Sequence, residues 1–184
     1  MHPLQRIAED ELIRQCKAGS LRYQELLYKQ FYGYAMGIGL RYSLNRDDAL
    51  EVVNDAFIKA FNSMANYDIT KPFKAWLRTI VVNTAIDRRR KDLKFQLNVE
   101  LEDAGPIISH INAIDHLGVQ DILSMMKELP SIQVTIFNLY EIDGYNHDEI
   151  ADMLSIPASS SRVYLSRAKE RLRKLIKTET QNHG

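Results

Sequence analysis

Residues 146–177, NHDEIADMLSIPASSSRVYLSRAKERLRKLIK, set the fold class of this chain. Asn146 stands where a helix N-cap belongs, and Ile150, Ala151 and Leu154 follow at helical spacing. Ser155-Ile156-Pro157 interrupts the pattern, and a longer helix then carries Leu165, Ala168, Leu172 and Leu175 at steps of three and four. A short helix, a tight turn and a longer helix with a basic outer side have the spacing of a helix-turn-helix. Ser155 occupies the turn position where glycine most easily supplies a left-handed backbone. Ala158, Ser159, Ser160 and Ser161 are small enough to let the second helix approach phosphates, which its N-terminal dipole attracts. Arg162, Val163, Ser166 and Arg167 fall on the outward side, where arginine can make bidentate contacts to guanine. The same spacing also fits a plain helical hairpin with a solvated basic side.

The helical period continues toward the N-terminus, and few segments read as strands. Val119 to Leu129 is one helical segment, closed by Pro130. Ser131 to Asp143 is the next, with Ile132, Ile136, Leu139 and Tyr140 inward and Gly144 as its stop. Between about Leu97 and His116 the period fades, and Gly105-Pro106 breaks any helix that starts there. Upstream, Ala49, Val52, Val53, Ala56, Phe57, Ala60, Phe61 and Met64 form one continuous apolar stripe. Another helix follows Thr70-Lys71-Pro72 and buries Phe73, Trp76, Leu77, Ile80, Val81 and Thr84 before reaching Arg88-Arg89-Arg90-Lys91. Before the stripe, Tyr23, Leu26, Leu27, Phe31, Tyr34, Ala35 and Ile38 mark a helix that starts after Ser20. Gly33, Gly37 and Gly39 within it mark weak helix or close packing. The fold class is therefore all-α: two small helical domains over 1–95 and 118–184, joined by a flexible linker over 96–117, the second containing the helix-turn-helix.

Composition narrows the function classes. With 45% apolar residues the chain can build a core, which argues against wholesale disorder. The single cysteine, Cys16, excludes an internal disulfide framework and fits a reducing compartment. The start MHPLQRIAEDEL has no apolar h-region, and no apolar run reaches the roughly 20 residues of a membrane helix. A cytoplasmic protein without membrane insertion is expected. The 24 basic and 24 acidic residues cancel, but they are segregated. Arg88–Lys94 and Arg162–Lys177 are basic, whereas Glu100, Glu102, Asp103, Asp115 and Asp121 lie between them. Two separate nucleic-acid contacts flanking an acidic connector fit this pattern, as do two solvated helix ends. His2, His110, His116, His147 and His183 are scattered, and no triad, metal-ligand or phosphate-loop signature is present. An enzyme, a metal and a cofactor are therefore not expected.

Opposite the apolar stripe, Asp48, Glu51 and Asp55 form an acidic ridge at steps of three and four. Aligned carboxylates repel one another, so a basic partner would relieve the ridge. A solvated surface is the plainer explanation.

Leu129-Pro130, Gly144-Tyr145-Asn146-His147-Asp148-Glu149-Ile150-Ala151 and Ser166-Arg167-Ala168-Lys169-Glu170-Arg171-Leu172 resemble region 4 of the extracytoplasmic-function sigma factors of the sigma-70 family. Asp48-Ala49, Glu51-Val52, Asn54-Asp55 and Phe57 resemble region 2.2, with Asn54 where the family more often has Gln. Phe73, Trp76-Leu77, Ile80, Asn83, Asp87 and Arg88 are similar to regions 2.3 and 2.4. The resemblance spans roughly residues 9–92 and 118–177, in the family's order. It implies a bacterial RNA polymerase specificity subunit that directs promoter-specific initiation. Asp48, Glu51, Val52, Asn54 and Asp55 would then bind the clamp of the polymerase β′ subunit. Tyr67 and Asn83, with the Asn66–Lys71 loop, would form a flipped-base pocket at the −10 element. Asp87, Arg88, Arg89 and Lys91 would complete that contact, with the cations on phosphates. Ser159, Ser160, Arg162, Val163, Ser166 and Arg167 would read the −35 element. The resemblance further implies contact with the β flap, and an anti-sigma factor, often membrane-bound, as an additional partner. The acidic linker would thread near the RNA exit path. Trp76 lies on the apolar stripe and reads as core. A conventional helix-turn-helix regulator with a helical interaction domain is the alternative. It leaves the acidic ridge and the Trp76-to-Arg88 helix without a purpose.

Overall fold

The structure, a computed structural model, describes residues 8–100, 125–126 and 128–182, with side chains over 8–90, 125–126 and 128–176. The chain divides into two compact units, residues 1–88 and 89–184. The expected helix within Val119–Leu129 and the acidic residues Glu102, Asp103, Asp115 and Asp121 lie largely or wholly outside the described residues.

In the first unit, α1 (Glu9–Lys17) packs on α2 (Leu21–Tyr42), which packs along α3 (Arg46–Ser63). A 3-10 turn over Met64–Asn66 leads to the loop before α4 (Phe73–Glu100). α1 was not anticipated, although Glu9, Asp10 and Glu11 at its start and Arg14 and Lys17 at its end complement the helix dipole. It buries Leu12, Ile13 and Cys16, and Lys17 Nζ donates to the Tyr67 carbonyl at 2.8 Å. The stripe on α3 is core as expected: Ala49, Val52, Val53, Ala56, Phe57, Ala60 and Met64 are all buried, with Phe61 half-buried. Gly39 is the one glycine of α2 placed for close approach. A Cβ there would stand 3.2 Å from the Ala49 carbonyl oxygen and 3.3 Å from Val53, so α2 and α3 meet closely at this point.

α4 starts directly after Pro72, whose carbonyl accepts from the Ala75 and Trp76 amides. Phe73 packs on Phe31 of α2 at 4.9 Å, and Leu77, Val81, Val82, Thr84, Ala85 and Ile86 are buried. The helix runs to Glu100, past residue 96 where the linker was expected to begin. The physical reason lies in the sequence, since the first helix breaker after Lys91 is Gly105-Pro106.

In the second unit, α5 (Ser131–Phe137) passes into a π-helical turn over Asn138–Ile142 and stops at Gly144, whose φ is +78°. One regular helix was expected across this segment. The wider turn keeps Ile132, Ile136 and Leu139 in the core and leaves Tyr140 and Ile142 at the surface. Tyr140 was expected inward and is instead exposed. α6 (His147–Leu154) and α7 (Ala158–Asn182) complete the unit, both packed together, with α5 also on α7. Met125, Met126 and Leu129 pack against Ala168 and Leu172 of α7. Among the described residues no helix is long and apolar enough to cross a membrane.

Candidate nucleic-acid and partner interfaces

The start of α6 is fixed by a reciprocal cap. Asn146 Oδ1 accepts from the Asp148 and Glu149 amides, each at 2.9 Å, while the Asn146 amide donates to Glu149 Oε2 at 2.7 Å. α6 ends at Ser155, which adopts φ 56° and ψ 49° in the left-handed region. The Ile156 amide then reaches back to the Ala151 carbonyl at 3.0 Å, closing the turn that redirects the chain into α7. Ser161, fully buried, lies 2.9 Å by its Oγ from His147 Nδ1 and ties the first turn of α7 to the start of α6. The His147 ring stacks on Tyr140 at 4.5 Å. Its pKa is held below the ordinary value by burial first, then by Arg162 and Lys169, with Asp148 opposing.

With Ser161, Tyr164, Leu165, Ala168 and Leu172 facing the core, the other side of α7 is open. Ser159, Arg162, Val163, Ser166 and Arg167 are exposed along it, and Ser160 is half-buried. These residues recur at steps of three and four, so one surface carries two guanidinium groups, two hydroxyls and an apolar side chain. That set can donate to guanine and phosphate oxygens and touch a thymine methyl.

α3 and α4 build a second surface. Asp48 is partly committed within it: Asn45 Oδ1 accepts from the Asp48 amide at 2.8 Å, and Asn45 Nδ2 donates to Asp48 Oδ2 at 2.8 Å. Arg88 of α4 donates from Nη1 to Asp55 Oδ2 at 2.8 Å and from Nη2 to Glu51. The hydrogen bond to Asp55 raises the Arg88 pKa further above its ordinary value, and the attraction of both carboxylates adds to it against an opposing desolvation effect. Lys59 and Asp87 bridge the same two helices at 3.6 Å. The expected ridge therefore exists, but Arg88 neutralises part of it from within the chain. Asn54, on the same helix one turn from Glu51, is exposed, and its Oδ1 accepts from the Tyr28 hydroxyl at 3.0 Å. Val52 was grouped with the ridge residues, yet it is 3% exposed. Its place on the apolar stripe puts its side chain in the core, away from any partner.

The loop before α4 is shaped by its own residues. Asp68 Oδ1 accepts from the Thr70 amide at 3.0 Å and from Thr70 Oγ1 at 2.7 Å, which holds the Asp68 carboxyl below its usual range. Tyr67 departs from the expectation of an open base pocket. It is 3% exposed, with its ring 5.6 Å from Phe73 and 4.7 Å from Trp76, and its hydroxyl donates to the Lys71 carbonyl. The ring serves the core because a phenol beside two aromatic neighbours gains more by packing than by exposure. Trp76 is half-buried in the same cluster, and Asn83 and Asp87 are exposed on α4. Arg89 and Lys91 follow on α4, and the side chain of Lys91 lies outside the described residues.

Tyr28 and Asn45 enter these sites without having been anticipated, whereas Ser161, expected at a phosphate-facing helix start, is buried against His147, and Tyr140, expected inward, stacks on the same ring from the surface. For Asn45 a signal existed, since Asn three residues before an acidic residue at a helix start is a cap pattern. Tyr28 and Tyr140 act through tertiary contact and leave no such mark.

Two helical units in this order, the second offering an exposed basic surface on a helix-turn-helix, define a helical protein of transcription. Residues 27–94 match Sigma-70 region 2 and residues 119–172 match Sigma-70, region 4. The chain belongs to the sigma-70 family, in its extracytoplasmic-function group, and is a promoter-recognising sigma factor for RNA polymerase. It is 23% identical over 180 residues to the RNA polymerase sigma-H factor of Pseudomonas aeruginosa, covering 91% of this chain and 93% of that protein. It is 24% identical to the ECF RNA polymerase sigma-E factor of Haemophilus influenzae, covering 94% and 97%. The fold is shared with the sigma factor RpoE of Bartonella quintana, solved in complex with the anti-sigma factor NepR. There the identity is 21% and the TM-score 0.52, over 83% of this chain and 96% of that one. A conventional regulator would not account for the region 2 match over the N-terminal unit.

Proposed function

We propose that the two surfaces divide the work of promoter recognition. Ser159, Ser160, Arg162, Val163, Ser166 and Arg167 on α7 read the −35 element. Asn83, Asp87, Arg88, Arg89 and Lys91 on α4, with the Asn66–Lys71 loop, engage the −10 element. Asp48, Glu51, Asn54 and Asp55 dock on the clamp of the β′ subunit, and the C-terminal unit meets the β flap. Tyr67 supports the −10 loop from beneath. The observation that carries this reading is the open row of Ser159, Arg162, Val163, Ser166 and Arg167, opposite a side of α7 that is wholly core. The phosphodiester chemistry belongs to the polymerase, the protein works in the cytoplasm, and an anti-sigma factor that covers these surfaces would silence it.

Run-off transcription from promoter-library DNA, with core polymerase alone and with core plus this protein, tests the reading. Promoter-specific transcripts are expected only with the protein present. Asp55→Arg should abolish them together with core binding. Arg162→Ala should spare core binding and lower the yield at the selected promoters, since one base contact is worth about 1–3 kcal/mol. Transcripts unaffected by both substitutions would overturn these assignments.

A further inference from the structure

Asn54 is an exposed side chain on a helix surface, yet it is not free to turn. The Tyr28 hydroxyl, reaching across from α2, donates to its Oδ1 at 3.0 Å. Tyr28 is itself held in place, with its ring 4.7 Å from buried Phe57 and 5.5 Å from Tyr32. The phenol is a fixed post, and the amide leaning on it has its oxygen turned toward α2 with one lone pair taken. With Oδ1 turned to Tyr28, Asn54 has its Nδ2, a donor, left for a partner, within one helical turn of Glu51 and Asp55.

From this geometry we infer that Tyr28 is a positioning residue for polymerase docking, acting through Asn54. The inference rests on the proposed role of the α3 ridge. Tyr28 selects one orientation of the Asn54 amide before the partner arrives, so less side-chain freedom is lost on binding. It also defines the chemistry opposite Asn54: the partner surface must offer a hydrogen-bond acceptor there, beside cations that share the ridge carboxylates with Arg88. A bare acidic ridge would accept any cationic surface, whereas a fixed donor beside its acceptors demands a matching pattern.

The test measures binding of the full chain to core RNA polymerase for Tyr28→Phe, Asn54→Ala and the double variant. Tyr28→Phe keeps the ring on Phe57 and removes only the hydroxyl. It should weaken binding about two- to tenfold, the cost of ordering one side chain. In the Asn54→Ala background the same change should have no effect, because the group it acts through is gone. Side-chain amide relaxation of Asn54 in the free protein should also show the amide loosened by Tyr28→Phe. Equal weakening in both backgrounds would make Tyr28 a merely structural residue and overturn the inference. So would full binding by Tyr28→Phe when Asn54→Ala binds poorly, and the ridge reading would then stand. If neither Asn54→Ala nor Asp55→Arg altered binding, the ridge reading would fall and take the inference with it.

Discussion

The Arg88 guanidinium on α4 donates from Nη1 to the Asp55 carboxylate on α3 at 2.8 Å, and its Nη2 reaches Glu51. One cation of the basic cluster is thus seated on the acidic ridge. All three side chains are open to water, at 38% for Arg88, 47% for Asp55 and 62% for Glu51, so solvent competes with each contact. Exposed pairs of this kind contribute about 0–1 kcal/mol. Arg88→Ala should therefore lower the unfolding free energy of the first unit by no more than about 1 kcal/mol. Trp76, the only tryptophan and half-buried against Tyr67 and Phe73, reports this unfolding in urea by fluorescence. A loss of about 3 kcal/mol or more would mean that Arg88 anchors the α3–α4 packing as a buried pair does.

Ser155 supports a prediction of opposite sign. Its φ of 56° and ψ of 49° lie in the left-handed region, where an L-residue with a Cβ is disfavoured by about 1–2 kcal/mol. Ser155→Gly relieves that cost and keeps the backbone turn, with part of the gain returned as unfolded-chain entropy. The second unit should become more stable by roughly 1 kcal/mol. Slower hydrogen exchange at the buried Ile136 and Leu139 amides would register the change, and faster exchange would contradict it.

The same residue shows how far the chain can be read unaided. Ser155 was legible because a three-residue turn between two helices forces a left-handed position, whatever residue fills it. The α3 stripe and the Asn146 cap were legible for a similar reason: each is a local pattern whose spacing encodes its geometry. Arg88 and Tyr67 were not. A cationic run looks the same whether its members face phosphate or an acidic neighbour, and only the alignment of α3 beside α4 decides. A tyrosine ahead of an aromatic helix start carries no sign of whether its ring faces out or in. The π-helical turn at Asn138–Ile142 escaped because one widened turn shifts the surface side of the helix without disturbing its apolar composition.

Cys16 is buried in α1, and burial pushes its thiol up to about 11 from an ordinary 9.0. Because the folded value is raised, the associated stability is complete below pH 9.0 and is lost as the pH rises through about 11. Unfolding midpoints should fall across that window, and Cys16→Ser should flatten the fall while costing stability at neutral pH. At pH 8 the native thiol should react with iodoacetamide far more slowly than in urea, since little thiolate forms and the sulfur is covered. Equal labelling rates in the two conditions would count against the buried position.

His147 works in the other direction. Burial, Arg162 and Lys169 lower its pKa beneath the ordinary 6.5, so the folded second unit favours the neutral ring. The unfolded chain takes up its proton first as the pH falls, and stability rises with pH wherever it does so. The contribution is therefore complete above pH 6.5 and is lost as the pH falls through the lower folded value. In the protonated ring Nδ1 carries a hydrogen whichever neutral tautomer precedes it, so its 2.9 Å contact with Ser161 Oγ then requires the hydroxyl to accept. Amide exchange in the first turn of α7 should accelerate between pH 7 and pH 5 beyond the intrinsic rate correction. His147→Gln keeps a polar group near Ser161 without a titrating proton, and it should remove most of that acceleration. An unchanged pH response in His147→Gln would assign the effect to another group.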